Sequence, residues 1–198
     1  MIAFFDTETT GKALFKLPPA HPEQPKIVQL AAILTDLDLN QVASFSVIVD
    51  PGCVIPDEAA AVHGITTEIA QKRGVCQWAA LSMFCEMVKK CKILVAHNLD
   101  FDDLVIKAAI CRTTNQIGVT NHLERFCTMR SMTSICGIPG PYGFKWPKLS
   151  EAYEFCTGKP FVGAHDAMAD VLGCIEVYRW MKARGLTPCS KKAEEVTA

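Results

Sequence analysis

The sequence predicts an α/β fold in which helices flank a mixed central sheet, and three observations support this prediction. First, apolar runs at residues 2–5, 26–35 and 41–49, with a turn at 37–40, predict an antiparallel three-strand meander. Second, short apolar runs alternate with helical periodicity after the meander. Third, a chain of 198 residues with 49% hydrophobic content can bury one full core. This order of elements is typical of a mixed sheet covered on both faces.

The second half of the chain carries the alternating elements. In order, they are a helix at residues 77–91, a strand at 92–96, a helix at 101–112, a strand at 125–128, a loop at 137–147, and helices at 148–155 and 166–184. A proline-containing loop at residues 12–25 is long enough to reach over the end of the first strand. We expect a single domain at residues 1–184 and a flexible tail at 185–198.

Composition narrows the classes of function. A net charge of −1 and a charged fraction of 21% argue against extensive disorder and against a global basic field, so any nucleic-acid contact must be local. The ten cysteines contain no C-x-x-C pair, which argues against a zinc or disulfide framework. The chain starts without a basic leader and has no apolar run long enough to span a bilayer. We therefore expect a reduced, cytoplasmic protein with no membrane partner.

An acidic pair lies where the first predicted strand ends. Asp6 and Glu8 are two residues apart, so in a strand both carboxylates point to one face. Two adjacent carboxylates repel each other unless a cation joins them, and hard divalent cations prefer such oxygen ligands. Taken alone, the pair fits a metal site and a solvated strand end equally well.

Two further acidic clusters lie at predicted element boundaries. The segment HNLDFDD at residues 97–103 follows a buried strand and opens a helix, where acidic residues also serve as caps. Spacing alone does not choose among its three aspartates. The segment HDAMAD at residues 165–170 places His165 just before a helix, Asp166 at the N-cap position and Asp170 one turn inside. Asp170 has apolar neighbours on the helix, and a carboxylate in such surroundings needs a partner.

In kind and in order, the three clusters resemble the motifs of the DEDDh exonucleases, the family that includes the proofreading epsilon subunit of bacterial replicative DNA polymerase and stand-alone trimming enzymes. The segment FDTETTG at residues 5–11 is similar to the first motif, HNLDFD at 97–102 to the second, and HDAMAD at 165–170 to the H-x-A-x-x-D third. Two more segments agree with this resemblance: VHGIT at 62–66 is similar to the family's segment that contacts the terminal nucleoside, and FCTM at 126–129 to its late strand.

The resemblance covers roughly residues 1–181 and implies a ribonuclease-H-like fold and a 3′→5′ exonuclease that releases 5′-mononucleotides. Because the family's aspartate follows the phenylalanine, it selects Asp102 from the second cluster. It implies four carboxylates that hold two Mg²⁺ or Mn²⁺ ions and a histidine that takes a proton from the attacking water, namely Asp6, Glu8, Asp102, Asp170 and His165. It also implies substrate contacts from Thr7, Thr9, Thr10, His63, Ile65 and Phe101.

The expected partner is the 3′ end of a single-stranded nucleic acid, because stacking and backbone contacts favour unpaired ends. We expect DNA more than RNA. Candidate backbone contacts are Arg112, Arg125, Arg130, Lys145 and Lys148. RNA trimming or degradation of short oligonucleotides would use the same catalytic residues, and a polymerase partner and the oligomeric state stay open. A non-catalytic replisome accessory module is a different-class alternative, which the clustered carboxylates disfavour. A third interpretation, that the protein is a thiol-based or zinc-based enzyme, is supported only by the number of cysteines.

Overall fold

The computed structural model describes residues 1–113 and 118–188. The strands are β1 (Ile2–Thr9), β2 (Ile27–Thr35), β3 (Gln41–Asp50), β4 (Val75–Cys76), β5 (Ile93–Ala96), β6 (Glu124–Cys127), β7 (Pro139–Gly140) and β8 (Gly143–Phe144). The helices are α1 (Asp57–His63), α2 (Thr67–Arg73), α3 (Gln77–Val88), α4 (Leu99–Thr113), α5 (Thr128–Cys136), α6 (Leu149–Thr157) and α7 (Ala167–Lys182). Six strands form one sheet in the order β4-β3-β2-β1-β5-β6, and β7 pairs with β8 in a separate hairpin.

The strands β1 to β3 form the predicted antiparallel meander. In its register, Asp6 of β1 lies opposite Ala31 of β2, and Glu8 lies opposite Gln29. All of β2 is buried because the sheet is covered on both faces, which explains its nearly continuous apolar run. The strand β5 pairs in parallel with β1, and β6 pairs in parallel with β5. The carboxyl ends of these three strands therefore lie at the same end of the sheet.

Helices cover the two faces of the sheet, and two neighbouring residues of β1 show how. Phe5 packs on Phe84 of α3 with ring centroids 5.1 Å apart, and Phe4 packs on Tyr178 of α7 at 5.2 Å. Successive side chains of a strand point to opposite faces, so Phe5 joins the apolar cluster under α3 and α4, and Phe4 joins the cluster under α7. This packing brings α4 and α7 to opposite sides of β1.

The predicted mixed sheet with flanking helices is confirmed, and the elements that the sequence analysis missed are short. It omitted α1, α2, β4 and α5, and the predicted loop at 137–147 contains the β7–β8 hairpin. The helices α1 and α2 have seven residues each, and α1 buries none of them, so periodicity carries little signal there. The strand predicted to reach Thr128 ends one residue earlier, where α5 begins, and the helix predicted for 77–91 ends at Val88.

Three further findings concern the expectations for the whole chain. Within residues 1–113 and 118–188, no helix is long and apolar enough to cross a membrane. The described cysteines are free thiols, and they range from buried Cys174 to exposed Cys76. Near the carboxyl end, Thr187 is only 3% exposed. Residues 189–198 of the predicted tail lie outside the described residues.

Candidate active site

Four carboxylates from three elements converge at the carboxyl end of β1. Asp6 and Glu8 lie on the same face of β1, as their spacing predicts. Asp102 comes from the first turn of α4, and Asp170 comes from the first turn of α7. The other three carboxylates lie near enough to Asp6 for their charges to raise its pKa. The fold therefore assembles one acidic site from three separate sequence motifs.

Asp102 is held by the backbone and the hydroxyl of a neighbouring β1 residue. Its Oδ1 accepts hydrogen bonds from the Thr7 backbone N–H at 3.0 Å and from the Thr7 Oγ1 at 2.7 Å. The carboxylate is 2% exposed, so these bonds also satisfy a buried group. The chain passes from β5 into α4 through Asn98, whose φ of 69° is a left-handed conformation that asparagine tolerates. This turn aims the first turn of α4 at β1.

The other two aspartates of this segment have different partners. Asp103 forms ion pairs with Lys107 and Arg125, at 2.7 and 2.8 Å. Asp100 pairs with Arg130 on the surface. The second cluster therefore contributes one carboxylate to the acidic site, and it is the aspartate that the family resemblance selects.

His165 stands on the turn before α7, at the exposed side of the acidic site. Its φ is 70°, and its backbone N–H donates to Asp170 Oδ2 at 3.1 Å. Asp166 is the N-cap of α7, as predicted, because its Oδ1 accepts two backbone N–H groups of the first turn at 3.1 and 3.0 Å. Potential ligand atoms of Glu8, His165 and Asp170 all lie within 4.8 Å of one another. These three residues form a candidate metal site.

The sequence analysis missed Gln29, which ties α7 to the sheet. Its Nε2 donates to Asp166 Oδ2 at 3.1 Å, and its Oε1 accepts the Ala167 N–H at 3.2 Å. Gln29 is 7% exposed and lies opposite Glu8, so it sets the start of α7 against the acidic strand. A signal was available, because a polar residue inside the apolar run of β2 must find buried hydrogen-bond partners.

Burial and mutual repulsion raise the pKa values of the four carboxyl groups. Burial first, and then the charges of Asp170 and Asp102, raise the pKa of Glu8 to about 8. Burial raises the pKa of Asp102 to about 7 even though the hydrogen bonds from Thr7 lower it. The pKa of Asp170 rises to about 6, again chiefly through burial. Burial and the surrounding carboxylates also raise the pKa of Asp6 well above its usual value. The acidic site therefore stores repulsion that bound cations would relieve.

The donor set fits hard divalent cations. Carboxylate oxygens are the ligands that Mg²⁺ and Mn²⁺ prefer, and the acidic site offers four carboxylates. A cation beside such groups would also reverse the rise in their pKa values, because positive charge favours the ionised carboxylate. The chemistry of the residues present thus agrees with a metal site at the end of β1.

A cavity of about 510 Å³ opens beside Glu8, between the end of β1 and α1. Most of the predicted substrate contacts line it, namely Thr7, Thr9, Thr10, His63 and Phe101. The remaining one, Ile65, is 7% exposed and belongs to an apolar cluster with Val28 and Ile55. The cavity also has lining residues that the sequence analysis did not identify, among them Lys12, Glu58 and Val62. Two of these belong to α1, a helix that periodicity did not predict.

The threonines after the acidic pair organise the turn that follows β1. Thr9 Oγ1 donates to the Gly11 carbonyl at 2.7 Å. Thr10 exchanges two hydrogen bonds with the Lys26 backbone, at 2.9 and 3.0 Å. On the facing side of the cavity, His63 Nδ1 accepts a backbone N–H at 3.2 Å, and burial lowers the pKa of this histidine. His63 is therefore neutral at physiological pH.

The loop at residues 12–25 borders this cavity and is braced by Gln24. The Gln24 side chain is 2% exposed; its Nε2 donates to the Leu14 and Leu17 carbonyls at 2.9 and 3.1 Å, and its Oε1 accepts the Leu14 N–H at 3.1 Å. Arg112 of α4 donates to the backbone carbonyls of Gln24 and the following proline. The same helix thus carries a site carboxylate and holds the loop that shapes the cavity.

Five cationic side chains are predicted to contact the nucleic-acid backbone. Within the described residues, four of them are paired with other groups of the protein, and Lys148 is the fifth. Arg112 holds the loop at 12–25, and the two arginines of β6 and α5 pair with Asp103 and Asp100. Lys145 pairs with Glu151 at 2.6 Å. Lys148 is exposed just before α6. Arg112 is the least available to a ligand, since its guanidinium binds two carbonyls.

The fold and the acidic site together define a class of protein. A mixed sheet with acidic residues at the carboxyl end of its first strand is a ribonuclease-H-like nuclease architecture, and the chain matches the exonuclease family of the RNase T type over residues 3–178. The chain belongs to this exonuclease family. The resemblance to exonucleases that the motifs indicate is therefore confirmed.

Two proteins with sequences similar to this chain are named as exonucleases. Over 190 residues, the chain is 30% identical to the uncharacterized exonuclease CP81 of Escherichia phage 186, covering 87% of this chain and 85% of that protein. It is 27% identical over 202 residues to exodeoxyribonuclease I of Escherichia coli K12, covering 91% of this chain and 40% of that protein. The chain therefore spans most of the phage relative but only about two fifths of the bacterial enzyme.

Solved structures agree with this assignment of the fold. Exonuclease I of E. coli, in complex with a dT13 oligonucleotide, superposes with a TM-score of 0.75 at 23% identity, covering 92% of this chain and 41% of that one. Exonuclease I of Methylocaldum szegediense superposes with a TM-score of 0.72 at 25% identity, covering 92% and 40%. The ribonuclease-H-like fold is thus shared with both proteins.

Proposed function

We propose that the protein is a metal-dependent 3′→5′ exonuclease that hydrolyses the terminal phosphodiester bond of single-stranded DNA and releases 5′-mononucleotides. The observation that carries this proposal is the convergence of four carboxylates and a histidine beside an open cavity. A phosphodiester is itself anionic, so an acidic site can act on it only with cations between them. The family membership of the chain supports the same chemistry.

The carboxylates that would hold two Mg²⁺ or Mn²⁺ ions are Asp6, Glu8, Asp102 and Asp170. Such ions, when bound, neutralise the phosphate, lower the pKa of the attacking water and stabilise the leaving 3′ oxygen. The chain contributes the positions of the ligands. Two hydrogen bonds from Thr7 hold Asp102 against β1, and the His165 backbone N–H orients Asp170. A zinc-bound form of E. coli exonuclease I with single-stranded DNA supports divalent metal binding on this fold.

His165 is the proposed general base. Its side chain is exposed at the acidic site, where a water molecule can reach it, and an imidazole exchanges protons near neutral pH. The left-handed turn at His165 and the N-cap at Asp166 fix the backbone that carries it. These features hold His165 where it could take the proton of the attacking water.

The cavity beside Glu8 supports recognition of a strand end. Phe101 offers an aromatic face for a base, and Thr7, Thr9 and Thr10 offer backbone and hydroxyl groups for a sugar and phosphate. Neutral His63 lies on the facing side of the cavity, and Lys12 adds a positive charge. Stacking and backbone contacts of this kind favour an unpaired end over a particular base sequence.

Single-stranded DNA is the proposed substrate because the relatives with solved complexes bind it. E. coli exonuclease I has been seen with dT13 and dA16 oligonucleotides, and the curated relative is an exodeoxyribonuclease. Trimming of RNA or of very short oligonucleotides with the same residues is the second candidate. The chemistry of the acidic site does not distinguish these substrates, because every one of them presents the same phosphodiester.

The test compares wild type with an Asp6→Ala, Asp170→Ala double variant on matched 5′-labelled single-stranded DNA, duplex DNA and RNA. Reactions contain Mg²⁺ or EDTA, and the products are resolved at single-nucleotide resolution. Asp38→Ala is the matched control, because Asp38 is an exposed aspartate in the turn between β2 and β3, at the other end of the sheet. We expect a ladder that shortens from the 3′ end with Mg²⁺, fastest on single-stranded DNA, in wild type and control.

The alternatives predict different results in the same assay. A fastest ladder on RNA would assign the RNA-trimming function. If wild type leaves all three substrates intact although Mg²⁺ raises its melting temperature, the exonuclease proposal fails and a non-catalytic accessory role replaces it. Activity that survives EDTA but is lost on alkylation would instead assign a thiol-based reaction.

The proposal includes a cytoplasmic location. The described cysteines are free thiols, which agrees with a reducing compartment. Cell fractionation with a tagged chain tests this part, and recovery in an oxidising extracellular fraction would contradict it.

A further inference from the structure

The β7–β8 hairpin and the segment after it carry an unusual group of exposed aromatic side chains. Tyr142 at the turn is fully exposed, and Phe144 and Trp146 are 59% and 61% exposed. We call residues 139–147 the aromatic hairpin. Other exposed aromatic side chains, such as Phe15 and Trp78, stand singly along the chain. Three aromatic side chains within five residues on the surface therefore indicate a binding surface.

The aromatic hairpin is anchored next to the acidic site. His97 directly follows β5, the strand that pairs in parallel with β1, and its Nε2 lies 3.0 Å from the Pro147 carbonyl. A carbonyl can only accept, so Nε2 carries the proton, and Nδ1 accepts from Thr128 Oγ1 at 3.0 Å. Burial lowers the pKa of His97 to about 4, which keeps this neutral tautomer at physiological pH. The hairpin is thus fixed to the same end of the sheet as the carboxylates.

Cationic side chains lie between the aromatic hairpin and the first turn of α4, which carries a carboxylate of the acidic site. The Arg130 guanidinium lies 5.9 Å from the Trp146 ring centre and pairs with Asp100 in the first turn of α4. A groove of about 290 Å³ beside this turn is lined by both Arg125 and Arg130. In the ion pairs of this region, four cations meet three carboxylates: Lys107 and Arg125 pair with Asp103, Arg130 with Asp100, and Lys145 with Glu151. The region therefore suits a polyanion better than the acidic site does.

We infer that the aromatic hairpin is a stacking platform for unpaired bases of single-stranded DNA, which it holds outside the acidic site while the adjoining arginine-lined groove contacts the phosphates. Exposed aromatic side chains next to cations are the combination that binds single strands without sequence preference. The inference deepens the proposed function and rests on it for the role of the bound strand. The platform would retain a strand between successive cleavage steps.

Binding is measured without cleavage, by fluorescence anisotropy of a 5′-labelled twelve-nucleotide DNA strand in EDTA. The test variant is Phe144→Ala, Trp146→Ala, and circular dichroism checks that it folds. The matched control is Trp78→Ala, because Trp78 is 60% exposed but lies on α3. We expect the dissociation constant of the test variant to rise at least about tenfold, as the loss of stacked bases requires. The control should remain within about twofold of wild type, since one exposed side chain away from the strand adds little.

A second measurement needs no variant. Wild type is photocross-linked to a strand containing 5-iododeoxyuridine, and the adducts are mapped by mass spectrometry. Adducts within residues 139–147 are expected. Unchanged binding by the test variant, or adducts confined to other peptides, would overturn the inference. If the variant instead turns a wild-type dimer into a monomer in sedimentation without changing DNA binding, the aromatic hairpin is a protein contact.

The two proposals fail in different ways. Wild type that binds DNA through the aromatic hairpin but produces no 3′ ladder keeps the platform and overturns the exonuclease proposal. Wild type that produces the ladder, while the test variant binds DNA equally well, keeps the exonuclease proposal and overturns the platform.

Discussion

Asp6 shows how single residues determine the properties of the acidic site. Its spacing from Glu8 could be read from the sequence, since a strand places alternate residues on one face. Its pKa could not, because the rise comes first from burial in the folded chain and then from the charges of Asp102 and Asp170, which lie 96 and 164 positions further along the sequence. Two predictions about individual residues follow from the burial and mutual repulsion of the carboxyl groups in the acidic site.

The first concerns Asp6→Asn, which removes one ionisable carboxyl group from the acidic site and keeps the shape of the side chain. We expect the melting temperature of the metal-free protein to rise by roughly 2–4 °C, because about 1 kcal/mol of repulsion is removed. Exonuclease activity should fall by about 10³-fold, because a metal ligand is lost. Differential scanning fluorimetry in EDTA and the ladder assay measure the two effects. Asp38→Asn is the control, since Asp38 is exposed at the other end of the sheet. An Asp6→Asn variant less stable than wild type in EDTA would contradict the account of repulsion.

The second prediction concerns how the free energy of unfolding of the metal-free protein depends on pH. Glu8 and Asp102 have pKa values of about 8 and about 7 in the metal-free fold, whereas unfolded carboxyls titrate near ~4. Between these limits the folded state binds more protons than the unfolded state, so the free energy of unfolding falls as pH rises. Urea unfolding in EDTA should show this loss of stability between about pH 5 and about pH 8. Saturating Mg²⁺ or Glu8→Gln should flatten the slope, and a slope that stays unchanged in both cases would exclude this origin.

Individual elements place the residues that shape the cavity. The loop at 12–25 was predicted from its length and prolines, but its internal order comes from one buried side chain. Gln24 satisfies three backbone groups of the loop, and Arg112 fastens the loop to α4. The position of Lys12 in the cavity therefore depends on contacts that join separate elements.

Gln24→Leu tests the importance of this loop. The substitution keeps the volume but leaves buried backbone groups without partners, at a cost of roughly 2–3 kcal/mol. We expect the melting temperature to fall by about 5–10 °C and the KM for single-stranded DNA to rise more than kcat falls, because the carboxylates stay in place. Gln41→Leu is the control, since Gln41 is exposed at the start of β3. An unchanged KM would show that the loop does not shape the cavity for substrate.

The whole molecule brings three distant motifs to one end of the sheet. All of the proposed catalytic residues precede residue 171, and the packed part of the chain extends beyond them, because Thr187 is 3% exposed. The domain at residues 1–184 remains a proposal, and it can be tested by shortening the chain.

Two truncations, to residues 1–184 and 1–188, are compared with the full chain. Both should produce the 3′ ladder, since both keep the acidic site, the cavity and the aromatic hairpin. The shorter one should melt at a lower temperature because it loses the buried Thr187. Fluorimetry and the ladder assay check this. Loss of activity in the longer truncation would show that residues 189–198 are needed.

The sequence by itself determined the fold class, the order of the main strands and helices, the N-cap at Asp166 and the pairing of Asp6 with Glu8 on one face. These features follow from local periodicity and cap chemistry, which act over a few residues. The tertiary structure decided which aspartate of the 97–103 segment reaches β1, which residues line the cavity, and that Gln29 and His97 join separate elements. Those outcomes depend on packing between residues far apart in the chain, and spacing along the chain does not encode such contacts.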